Sequence, residues 1–174
     1  GNKLQDELLQ SRLQDYQARQ IGAEAEANRQ QAVVKQAKVR LNRLEENFAN
    51  AKISLNNASA NQKNSEELRE RVGENLTLAK KREKSLRGLT TQGAVPRLDY
   101  LDAQDRLNRA NVEITRSGDQ IINANNKVTE AKDKVTSLQK DLAAQLQEIS
   151  QAQAAFEAAQ SQAQRLASER QSEI

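Results

Sequence analysis

The side chains able to do chemistry in this sequence are few in kind. It has no histidine and no cysteine, which removes the usual nucleophile–base pairs and the common soft metal ligands. What remains is carboxylate, ammonium and guanidinium. The densest group is basic: Lys80, Lys81, Arg82, Lys84, Arg87 and Arg97, with Glu83 among them. A cluster of that kind can grip phosphates. It has no interleaved aromatics on which bases could stack. Asp99, Asp102 and Asp105 follow it directly and would repel a nucleic-acid backbone. There is no glycine-rich phosphate loop, and the carboxylates are scattered singly along the chain, with no pocket implied. The expectation is therefore no catalytic residue, no cofactor site, no metal site and no nucleic-acid partner. The charges read most simply as solvated helix faces.

The elements that carry these charges are plain from composition and period. Of 174 residues only one is proline and four are aromatic (Tyr16, Phe48, Tyr100, Phe156), while charged residues make up 29% and the formal charge is +3. Good helix formers dominate, as in long helices and coiled coils. Disorder is the competing reading for so hydrophilic a chain, but disordered segments lack a sustained apolar period. Here the period is sustained. Every seventh residue from Leu9 to Leu86 is apolar at ten of twelve places, and the row from Leu13 to Glu83 at seven of eleven. The second arm is cleaner. One row runs Tyr100, Leu107, Ile114, Ile121, Val128, Val135, Leu142, Ile149, Phe156, Ala163; the other runs from Ala103 through Ser117 and Gln145 to Leu166. A repeat of seven held this long predicts helices supercoiled along a narrow seam.

Reversal of the chain at Gly93 sets small residues against large ones. Ala79 meets Leu107, Ala58 meets Val128, Ala51 meets Val135 and Ala37 meets Ile149; in the other row Leu76 meets Ala110, Leu55 meets Ala131 and Val34 meets Ala152. Alternating bulk keeps the volume of each layer nearly constant, as close packing requires. A parallel dimer of either arm would stack Ala on Ala and leave voids. The expected fold is all-α, one antiparallel two-helix coiled-coil hairpin over residues 1–174. Its first helix covers about 3–91, the turn about 92–96 and the second helix about 96–172.

The turn supports this. Gly93 can take positive φ just past a helix C-terminus, and Ala94 can then fold back on Leu89. Pro96 has no N–H to lose at the first position of the returning helix. Arg82, Lys84 and Arg87 lie near the negative end of one helix, and Asp99 and Asp102 near the positive end of the other. In mid-shaft the pairing sets Arg69 against Ser117, Gln62 against Ala124 and Ser65 against Ile121, with Gly73 and Gly118 close by. Polar seam residues of this kind fix register at a cost in stability.

The stretch LTTQGAVPRLDYLDAQDRLNRANVEI, Leu89–Ile114, resembles the hairpin tip of HlyD-type periplasmic adaptors, also called membrane fusion proteins. In the best-known branch the tip carries an Arg, a Leu four residues later and a Ser or Thr seven residues after that. Leu89 fills the Leu place, while Ser85 and Pro96 stand at the other two; Arg82 and Arg87 are the nearest basic residues. The resemblance implies a hairpin that bridges an inner-membrane transporter to a TolC-like outer-membrane channel for secretion or efflux. It further implies periplasmic placement, inner-membrane anchorage of the full-length protein and assembly of copies into a ring. Lipoyl, β-barrel and membrane segments would then lie outside this sequence, and Gly1 and Ile174 read as the ends of an excised piece. By that reading the docking tip comprises Arg87, Leu89, Thr90, Thr91, Gly93, Val95, Pro96 and Arg97, with Leu89 the apolar anchor and Arg87, Arg97, Thr90 and Thr91 its polar rim. The alternative is a coiled-coil arm of a nucleic-acid-binding enzyme, or another structural spacer; any helical hairpin needs a Gly-and-Pro reversal.

Overall fold

A computed structural model describes residues 2–172, so Gly1 and Ile174 lie outside the described residues. The chain is all-α: helix α1 is Asn2–Thr91 and helix α2 is Arg97–Ser172. Both agree with the heptad pattern to within a residue or two, because nothing in either arm interrupts it. The expected two-helix hairpin is the fold.

The rows read from the sequence are the rows that are enclosed. All twenty positions of the two α2 rows, from Tyr100 to Leu166, are buried or half-buried. The α1 rows are enclosed as well, apart from Leu9 and Arg69. Among the described residues no large side chain is completely buried. A pair of helices covers only one stripe of each partner, so the seam stays narrow and its best-shielded members are small: Ala103 is 1% exposed and Ala37 4%.

The chain divides into two compact units. The terminal unit runs up to Phe48 and resumes at Ser137; the turn unit is Ala49–Thr136. The terminal unit buries Ala27, Val34, Ala37, Leu138, Ile149, Ala152, Ala159, Ala163 and Leu166. Its one buried polar side chain among the described residues, Gln145, donates through Nε2 to the Ala37 carbonyl at 3.0 Å. The amide is thus satisfied across the seam, as a buried polar group must be. The turn unit buries Ala51, Val72, Ala103, Ala110, Ala124 and Val128, together with Ser117. Ser117 is 3% exposed and its hydroxyl has no hydrogen-bond partner.

The mid-shaft differs in detail from the expected pairing. Arg69 does not enter the seam against Ser117; its side chain is exposed. Its aliphatic stem can lie along the helix while the guanidinium reaches water, which avoids stranding a charge in an apolar layer. Gln62 reaches past Ala124 and donates from Nε2 to Asn125 Oδ1 at 2.6 Å. The two glycines do not serve a close approach of the helices: a Cβ at Gly118 would meet nothing within 4 Å, and one at Gly73 only Ile114 Cδ1 at 4.0 Å.

Candidate docking site at the turn

The reversal is built by backbone hydrogen bonds that the local sequence allows. Gly93 has φ of 73°, a conformation in which a Cβ would crowd the backbone. It follows the last helical turn, where its N–H donates to the Thr90 carbonyl at 3.0 Å. The Ala94 N–H donates to the Leu89 carbonyl at 2.8 Å. This nested pair of bonds is the Schellman closure, which satisfies carbonyls a helix end would otherwise leave open. Pro96 stands one residue outside α2 rather than at its first position. Its carbonyl accepts from the Asp99 N–H at 3.1 Å, and its fixed φ aims the chain into the helix. The turn is therefore closed by its own backbone.

The side chains named from the sequence fall into two groups. Arg87, Leu89, Thr91, Gly93, Pro96 and Arg97 are exposed, and Val95 is half-buried. Leu89 is 41% exposed, as its place beyond the last full seam layer predicts. Thr91 donates its hydroxyl to the Arg87 carbonyl at 2.8 Å. Thr90 differs from the sequence-based rim. It continues a seam row seven residues beyond Glu83, is half-buried, and its enclosed hydroxyl oxygen has no partner. Thr90 is a packing residue of the last turn and not part of the polar rim.

Two residues absent from the sequence-based site are the most accessible leucines nearby: Leu98, 77% exposed, and Leu101. Extending the heptad register back through Tyr100 puts both on the outer face of α2, and that signal would have found them. With Leu89 they give the first turns on each side of the reversal three exposed leucines, while Arg87 and Arg97 supply the charge.

Beneath the turn lies a polar fastening. Glu83 occupies a seam row, and only 12% of its side chain is exposed. Tyr100 Oη donates to Glu83 Oε1 at 3.2 Å, and Arg87 Nε lies 3.8 Å from the same oxygen. A phenol and a guanidinium from the two helices thus converge on one carboxylate, which ties the final layer of the hairpin across the seam.

The electrostatics of the flanks are local. Arg106 pairs with Asp102 at 3.2 Å and Arg109 with Asp105 at 3.0 Å, both one turn apart on α2 and well exposed. Two of the three aspartates that follow the basic cluster are therefore balanced by their own helix. Beside them an open groove of about 320 Å³ has Ala79, Ala103 and Ala110 in its floor and Leu78, Arg82 and Arg106 among its walls. Small seam residues make the groove shallow, and it offers a ridge-accepting surface more than an enclosed cavity. Far along the chain, in the terminal unit, Arg29 and Gln30 hydrogen-bond to Glu26 and hold its carboxyl down at about 2. Among the described residues no three acidic, His or Cys groups converge as a metal site would need. Among them, too, no helix is long and apolar enough to cross a membrane.

Compared with known proteins, the chain matches no family model, no curated protein and no solved structure at a significant level.

Proposed function

We propose that this hairpin is the reaching arm of a periplasmic adaptor. It would bridge an inner-membrane transporter to a TolC-like outer-membrane channel in protein secretion or efflux, docking through its turn and working as a non-catalytic connector in a ring of copies. The observation that carries this reading is the exposed Leu89 on the last turn before a self-closed reversal. A closed turn holds Leu89 beside the reversal at little entropic cost, with Arg87 and Arg97 near it in sequence, and Leu98 and Leu101 add exposed apolar surface on the first turns of α2. An apolar anchor inside a polar rim is the usual make-up of a small docking patch. One such patch binds weakly, and several copies held together multiply it through effective concentration. The full-length protein would sit in the periplasm, anchored to the inner membrane.

The reading is tested by presenting the purified chain to a purified TolC-like channel and, separately, to RNA and duplex DNA. Retention by the channel, lost on Leu89→Ser, supports it. A salt-sensitive mobility shift with nucleic acid and no retention by the channel would replace it with an arm of a nucleic-acid-binding enzyme.

A further inference from the structure

The positive charge of the chain is gathered around the reversal. Residues 78–109 hold eight Lys and Arg against four Asp and Glu, a net +4, whereas the whole sequence carries +3. The remainder is therefore net −1. The four acids of this stretch are drawn away from most of its bases. Glu83 is turned into the seam, where Tyr100 and Arg87 hold it. Asp102 and Asp105 are paired with Arg106 and Arg109 on their own helix. Asp99 sits in the first turn of α2, at its positive end. Lys80, Lys81, Lys84 and Arg97 have no ion pair among the described residues.

The register sorts these charges onto two sides. Leu78, Arg82, Arg106 and Arg109 each stand directly before a seam position, and together they wall the groove over Ala79, Ala103 and Ala110. Like-placed edges of the two helices thus share one side of the hairpin. Asp99, Asp102 and Leu89 also stand directly before seam positions and belong to that side. The opposite side is formed by residues directly after seam positions. On α1 these are Lys80, Lys84 and Arg87; on α2 they are Arg97, Leu101 and Gln104, all six exposed. Each set is spaced four and then three apart, which makes it one stripe on its helix. Neither stripe holds an acid. Lys81 and Leu98 lie beside them on the outer faces, Leu98 with 77% of its surface exposed.

We infer that this acid-free side is a contact surface for an anionic phospholipid bilayer. Four bases meet the headgroup phosphates, and Leu98 and Leu101 enter the interface beneath them. Basic side chains beside exposed leucines are the make-up of a surface that lies on a membrane without crossing it. The long Lys and Arg stems let the charges reach a plane of headgroups while the leucines dip below it. Charge complementarity alone would admit any polyanion. The leucines select the bilayer, because a nucleic acid would leave both in water and finds no aromatic on which to stack. The inference goes beyond the proposed function and does not rest on it, since Leu89 belongs to the other side.

Flotation of the purified chain with vesicles tests it. The chain is expected to float with phosphatidylcholine vesicles containing about one quarter phosphatidylglycerol, to stay behind with pure phosphatidylcholine, and to be released by raised salt. Lys80→Glu with Lys84→Glu should lower binding by about tenfold or more. Arg82→Glu makes a like change of charge on the groove side and should lower it far less. Leu98→Ser with Leu101→Ser should weaken binding while helicity, read by circular dichroism, is unchanged. Equal binding to both vesicle types, or to neither, would overturn the inference. An equal loss from Arg82→Glu and Lys84→Glu would overturn it too, because net charge and no particular side would then be at work. Polyglutamate or duplex DNA bound as tightly as the vesicles, with the leucine variant indifferent, would replace the bilayer by a soluble polyanion. Leu89→Ser should leave vesicle binding unchanged, so channel docking and membrane contact fail separately.

Discussion

The terminal unit and the turn unit use the same heptad and reach different ends. In the terminal unit the seam is better shielded, and among the described residues its one buried amide is satisfied by the Ala37 carbonyl. In the turn unit the seam holds a buried serine hydroxyl without a partner and a half-buried glutamate fastened by Tyr100 and Arg87, and exposed leucines flank the reversal. The unit with the unpaired seam hydroxyl is also the one that exposes Leu89, Leu98 and Leu101 beside the reversal.

Core truncation should show this contrast most strongly. Ile149→Ala in the terminal unit removes a buried side chain and should cost about 3 kcal/mol. Ile121→Ala in the turn unit, where the side chain is half-buried beside an open groove, should cost about 2 kcal/mol. Leu142→Ala, half-buried in the terminal unit, belongs between them. Urea unfolding of the three variants orders them. A larger loss at Ile121 would mean that the turn unit is the better packed and the comparison is inverted.

The buried polar pair sharpens the point because the expected signs differ. Gln145→Ala removes a cross-seam hydrogen bond and should destabilise by about 1 kcal/mol. Ser117→Ala removes a hydroxyl that has no partner and should be neutral or stabilising, by up to about 1 kcal/mol. If Ser117→Ala destabilises clearly, the hydroxyl has a partner in solution. At the turn, Gly93→Ala should cost about 1 kcal/mol, because an L side chain at positive φ is strained; thermal melting reads it directly.

How much of this was legible in the sequence follows from what sets each feature. The helices, the seam rows and the turn come from periodicity and backbone chemistry, which are local, and Gly93 and Ala94 close the chain as their residue types predict. Arg69 was misplaced because the seven-residue repeat gives a position but not the freedom of a long side chain to leave it. Thr90 stands next to Leu89 in sequence but continues a seam row, so nearness along the chain points to the rim while the heptad points inward. Gln145 and Glu83 could be seen only as polar breaks, since their partners, the Ala37 carbonyl and the Tyr100 hydroxyl, come from the other helix and depend on the register at those points. Leu98 and Leu101 are legible from the register alone, on the outer face of α2 that a coiled coil ordinarily gives to solvent.

The smallest expected effect is electrostatic and belongs to the terminal unit. Arg29 and Gln30 hold Glu26 at about 2, below its ordinary 4.5. A carboxyl lowered on folding adds stability that is present above its unfolded value and lost as pH falls through its folded value. Stability should therefore decline slightly between about 4.5 and about 2, and Glu26→Gln should flatten that part of the curve. The group is fully exposed, so salt screening keeps the effect small. No difference between wild type and Glu26→Gln over this range would show that the contact is not held in solution.

The central claim is that the closed turn presents Leu89 to a partner rather than to the hairpin's own core. Leu89→Ser in the full-length protein tests it most directly, with export or efflux by the assembled machine and thermal melting of the same variant measured side by side. The account predicts that transport is lost while helicity and melting stay close to wild type. Normal transport would contradict the docking role, and a collapsed melting curve would make Leu89 a core residue.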